Sequence, residues 1–114
     1  MSGELPIIAK LYEILLWTLP HLAKLPRTHR FLAGDRVATG LYRLLESLVR
    51  AQSGSRRRER LAEASASLDL LRLEVRLLKD LRLLSINACE HLAKELNEVG
   101  RMLGGWLKAS APAP

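Results

Sequence analysis

Aromatic residues make up only 4% of this 114-residue chain: two tryptophans, two tyrosines and one phenylalanine. The interior must therefore be aliphatic. Residues branched at Cβ are also few, which argues against strands, because sheets favour valine, isoleucine and threonine. There is a single cysteine, Cys89. No disulfide can form within the chain, and there is no cysteine pair to hold zinc. The expected use of Cys89 is as a small buried apolar group in a reducing compartment. The histidines His21, His29 and His91 are scattered, and no Glu-x-x-His pair occurs, so a ferritin-like di-iron site has no ligand pattern. Cys89 and His91 stand two residues apart, which on a helix turns them to different sides and argues against a thiol–imidazole pair. A glycine-rich phosphate loop is missing too. No enzymatic constellation remains, and neither a cofactor nor a metal is expected. The most apolar stretch, Leu5 to Leu25, is interrupted by Lys10, Glu13 and His21 and makes a poor membrane span. The N-terminus lacks the basic region and small-residue cleavage site of a secretory signal. The expectation is a cytoplasmic protein away from the membrane.

What the chain has in plenty is leucine, 26 residues of it, at spacings of three and four. That period predicts amphipathic helices. The first helix is expected from Leu5 to Lys24, with Leu5, Ile8, Tyr12, Leu15, Leu19 and Leu22 on one stripe and Leu11 and Leu25 widening it. Pro20 cannot donate a backbone hydrogen bond, so a kink is expected near residues 16 to 20. The second is expected from Thr28, acting as N-cap, to Gln52, with Val37, Leu41, Leu44 and Leu48 inward. Gly34 and Gly40 lie within it, either as tolerated weaknesses or as points of close approach. Gln52-Ser53-Gly54-Ser55 reads as a linker. The third helix is expected from Ser55 to Leu81. Leu61, Ala64, Leu68, Leu71, Val75 and Leu78 form its stripe, and Leu70, Leu73, Leu77 and Leu81 a second one. A face that broad is expected to be central or to meet another subunit. After Leu83-Leu84, Ser85 is a good N-cap for a fourth helix, Ile86 to Lys108, with Ile86, Cys89, Ala93, Leu96, Leu103 and Leu107 inward. Gly104 and Gly105 near its end suit packing or capping. Residues 109–114 read as a disordered tail. Short connections make neighbouring helices antiparallel, so the fold class is all-α: one up-down-up-down four-helix bundle over residues 1–108.

The net charge is +6 and the isoelectric point near 10.1. Divided by helix, residues 1–26 and 84–114 each sum to zero, while 27–52 and 53–83 carry +3 apiece. The excess thus sits on the two middle helices and their linker. Arg36, Arg43 and Arg50 recur every seven residues and share a face. Arg27 and Arg30 precede them, and Arg56, Arg57, Arg58 and Arg60 cluster where the third helix begins. Cations there oppose the helix dipole, so solubility alone accounts for them poorly. Pairing within the helix explains the charges of the fourth helix better, where Glu90–Lys94 and Lys94–Glu98 are spaced four apart. The basic surface suits an anionic partner, foremost the phosphates of nucleic acid, since arginine offers a forked, permanent donor set. A solvated charged face is the alternative. Phe31 and Tyr42 are the only aromatics near enough to stack on bases, and either could be core. Backbone and shape recognition is therefore expected over base reading.

Three segments carry a family resemblance. Leu25-Pro26-Arg27-Thr28-His29-Arg30-Phe31 with Gly34-Asp35-Arg36 resembles the junction between the first two helices of the accessory variability determinant (Avd) proteins of diversity-generating retroelements. Leu78-Lys79-Asp80-Leu81 with Leu84-Ser85 is similar as well. Glu98-Val99-Gly100-Arg101-Met102-Leu103-Gly104-Gly105-Trp106-Leu107 is the most specific of the three. The likeness covers residues 5 to 108. The related ribosomal-RNA intervening-sequence proteins share the four-helix plan, but the Gly100 to Leu107 ending is not typical of them. The resemblance implies a homopentameric barrel with a basic surface that binds a reverse transcriptase and associates with RNA, with DNA as a second candidate. It implies a role in adenine-mutagenic copying of a template RNA and no catalysis. No motif residue carries a role that transfers directly. For Arg27, Arg30, Arg36 and Arg101 a structural part is as open as partner contact. A helical adaptor that binds only proteins is the other reading of the same features.

Overall fold

The computed structural model describes residues 5–110, all of it helix and short turns, with no strand among the described residues. Helix α1 spans Pro6–Ala23, α3 spans Arg57–Asp80 and α4 spans Ile86–Ala109. Between them, α2 runs through three stretches without a break: α-helical Arg27–His29, π-helical Arg30–Gly34 and α-helical Asp35–Gln52. Each helix packs on its chain neighbours, and α4 closes the ring on α1. The diagonal pairs do not approach one another. This is the expected four-helix bundle. Helix α4 reaches Ala109, one residue further than expected, with Ser110 as its cap; the disorder expected of residues 111–114 lies outside the described residues.

Local chemistry places the ends. Pro6 sits at the first helical position of α1, where its missing N–H costs nothing. Pro20 does not end the helix. The carbonyl it leaves without a donor belongs to Leu16, and both residues lie on the exposed side, where water can serve. Helix α2 starts at Arg27, not at a Thr28 cap. Pro26 is held extended at ψ 145° and its carbonyl accepts from Arg30 N at 2.8 Å, so the first turn closes on the proline. Helix α3 starts at Arg57, two residues later than expected, because Gly54 and Arg56 take left-handed conformations at φ 91° and 53° to turn the chain. Its far end is a Schellman motif: Leu83 N donates to Leu78 O and Arg82 N to Lys79 O, both at 2.9 Å, with Arg82 at φ 59°. Ser85 caps α4 as its sequence context predicts, its hydroxyl accepting from Ala88 N at 3.0 Å. Replacing Ser85 by alanine should cost about 1 kcal/mol in thermal or urea unfolding.

The core is aliphatic. Leu11, Leu41, Leu44, Leu48, Leu61, Leu71, Leu78, Leu92, Leu96 and Leu103 are fully enclosed, joined by Val37 and Val99. The α3 stripe is buried as its spacing predicts. Two other stripes depart in part from expectation. In α1, Ile8, Leu11, Leu15 and Leu22 are buried as expected, but Ile7 and Ile14 turn inward with them and Tyr12 is exposed. In α4, Leu92 and Val99 are buried, whereas Ile86 and Ala93 face out. Leu70, Leu73, Leu77 and Leu81 run along the outer side of α3, each about half exposed. Lys10 Nζ to Glu95 Oε2, at 2.5 Å, ties α1 to α4 and is the only ion pair between helices among the described residues. No described helix is long and apolar enough to cross a membrane.

Candidate nucleic-acid interface

The nine arginines singled out by the sequence have three fates. Arg30 and Arg57 serve the fold. Arg30 Nη1 donates to Ala23 O at 3.2 Å, closing the α1 terminus. Arg57 Nε donates to Ala51 O at 2.9 Å and Nη2 to Gln52 O at 3.4 Å, while its guanidinium lies 6.0 Å from the Trp106 ring. Both satisfy carbonyls orphaned at helix ends. Arg50, Arg56 and Arg60 pair within their own helices, with Glu46 at 2.8 Å, Glu59 at 3.0 Å and Glu63 at 3.3 Å. Such pairs on a wet surface are worth only about 0.5 kcal/mol, so a phosphate can take the carboxylate's place. Arg27, Arg36, Arg43 and Arg58 are exposed and form no ion pair or hydrogen bond among the described residues. The cluster at the start of α3 is therefore not one bare patch, since only Arg58 of its four members lacks a partner.

Arg36 and Arg43 line a recess of about 420 Å³ between α2 and α3, with Phe31, Leu32, Thr39, Leu70, Asp35 and Glu74 around them. Seven residues apart on α2, they stand on the same side, and Gly40 lies between them one turn from each. A Cβ at position 40 would come within 3.0 Å of Leu71 Cδ1 and 3.1 Å of Glu74 Oε1. Gly40 is thus a point of close approach, and what approaches is two side chains, the Leu71 methyl and the Glu74 carboxylate, and not another backbone. Burial raises the Glu74 pKa above the usual carboxylate range, while Arg36 and Arg43 pull it back down. Gly34 makes room in a similar way for Leu25 Cδ1, which would sit 3.0 Å from an added Cβ.

The π-helical stretch has no sequence signature, yet it shapes this site. It widens one turn between Arg30 and Gly34, burying Ala33 and Gly34 and turning Phe31 and Leu32 outward. Phe31 is 73% exposed and Tyr42 53%. Neither is core, and Phe31 stands in the recess with Arg36 and Arg43. An exposed ring beside guanidiniums without ion pairs among the described residues offers a face on which a base can stack and groups that can donate to phosphate. The sequence alone left that ring undecided.

Other clusters offer less chemistry. His21 and His91 both pack on Trp17, with ring centroids 3.9 and 4.5 Å away, and His21 Nδ1 donates to Trp17 O at 2.7 Å. On α4 neither Glu90–Lys94 nor Lys94–Glu98 pairs among the described residues, and Glu98 bonds Arg101 instead. Cys89 is buried, which pushes its thiol pKa up, with Lys79 pulling the other way. No group of three or more metal-ligating side chains gathers among the described residues. A family model described as bAvd-like matches residues 6–110. No curated protein matches the chain.

Proposed function

The chain belongs to the bAvd-like family, and on that premise we propose that it is a non-catalytic accessory of a diversity-generating retroelement, binding the element's reverse transcriptase and template RNA during mutagenic copying in the cytoplasm. The observation that carries the RNA part is the set of exposed, unpaired arginines Arg27, Arg36, Arg43 and Arg58, all on α2 and the start of α3. Arg50, Arg56 and Arg60 extend the surface once phosphate displaces their carboxylates. Arg30 and Arg57 hold the turns on which it stands. RNA is the first candidate and DNA the second, because the contacts available are to phosphate and to one stacked ring.

Self-association belongs to the same proposal. The half-exposed leucines of α3 support it, since soluble monomers rarely leave so continuous an apolar strip to water. Family resemblance supports five copies. A protein-only adaptor is the second reading, favoured by that same strip. A fluorescence titration with structured RNA separates the two. The variant R27A/R36A/R43A/R58A should keep its helix content and bind RNA about tenfold more weakly or worse. A wild type that binds no RNA would favour the protein-only adaptor, and unchanged affinity in the variant would move RNA contact away from these four arginines.

A further inference from the structure

Arg36 and Arg43 form no ion pair among the described residues, yet they do not look out on bare solvent. The Glu74 carboxylate reaches across from α3 and rests against the α2 backbone at Gly40, between the two arginines along the helix. Any larger residue at position 40 would crowd Oε1, 3.1 Å from the added Cβ. Asp35 also lines the recess, so its four charged groups sum to zero.

We propose that Glu74 is a built-in counter-ion that stands where an RNA phosphate would sit between Arg36 and Arg43, so that RNA engages both arginines only by displacing it. This rests on the RNA-binding reading above. A carboxylate and a phosphate offer a guanidinium the same kind of oxygen acceptors, so they compete for the same donors. Burial disfavours the Glu74 charge while Arg36 and Arg43 favour it, so the carboxylate stands within electrostatic reach of both guanidiniums. Non-specific anions are thereby discouraged. A polyanion that brings several phosphates at once pays the displacement once and gains the rest of the surface.

The test is Glu74→Gln in the full chain, titrated with a labelled RNA hairpin at moderate salt. Glu90→Gln is the control: it removes one charge from an exposed α4 residue without an ion pair. E74Q should bind about three- to tenfold more tightly than wild type, and E90Q much less so. Adding R36A and R43A to E74Q should erase the gain. Equal effects of E74Q and E90Q, or a gain that survives loss of both arginines, would overturn the role of Glu74 and leave RNA binding intact. Absence of binding by wild type and E74Q alike would sink the RNA reading and this inference together.

Discussion

Replacing Leu71 by alanine is expected to cost about 2–5 kcal/mol of folding stability. Leu71 is fully enclosed between α2 and α3, and its Cδ1 occupies the space that a side chain at Gly40 would otherwise claim. The surrounding side chains relax only in part to fill the hole, so a cavity remains and the loss lies well above that of a wet site. Against a typical total of about 5–15 kcal/mol, a large share of stability disappears. Urea unfolding should show a lower midpoint with an unchanged slope. A loss under about 1 kcal/mol would mean that the seam carrying the arginine recess is not tightly packed.

The second large effect is on assembly. Leu73→Glu with Leu77→Glu should convert an oligomer into monomers while leaving the bundle folded. Leu73 is 59% exposed and Leu77 49%, so in a lone protomer the new carboxylates reach water and cost within about 0.5 kcal/mol. In an interface each would be an unpaired buried charge costing several kcal/mol, enough to weaken association about a thousandfold. Light scattering on wild type and variant reads the difference directly. A monomeric wild type refutes self-association. A variant that assembles as before moves the contact to another face.

Much of the fold is legible in the spacing of leucines, and the places where it is not have physical reasons. The α3 stripe is strict, with Leu61, Ala64, Leu68, Leu71, Val75 and Leu78 unbroken at three-four spacing, so it is the side that is buried even though Leu70, Leu73, Leu77 and Leu81 form a second apolar strip. Helix α1 offers Ile7, Ile8, Leu11, Tyr12, Ile14, Leu15, Leu16 and Trp17 in one run. With apolar groups on nearly every side, period alone cannot choose the buried stripe. There packing against the neighbouring helices decides, and with Ile7, Leu11 and Ile14 inward Lys10 meets Glu95 and Trp17 lies against His91. Helix α4 shifts by a similar step, bringing Leu92 and Val99 inward. Ser85 reads correctly because a cap is a local bond between a hydroxyl and an amide three residues on. The π-helical turn does not, because no residue type or spacing in Arg30–Gly34 calls for it. For the arginines, the seven-residue repeat shows that Arg36, Arg43 and Arg50 share a face. It does not show which of them finds a carboxylate. Arg50 takes Glu46 from its own helix, while Arg36 and Arg43 pair with none among the described residues, and Glu74 reaches the same recess from another helix, beside Gly40.

The salt dependence of RNA binding tests the central claim most directly. Four free arginines meeting phosphate should give a plot of log K against log salt with a slope of roughly −3, at about −0.7 to −0.9 per contact, and R27A/R36A/R43A/R58A should flatten it. A slope near zero in the wild type, or the same slope in the variant, would contradict a phosphate-binding surface on α2 and α3.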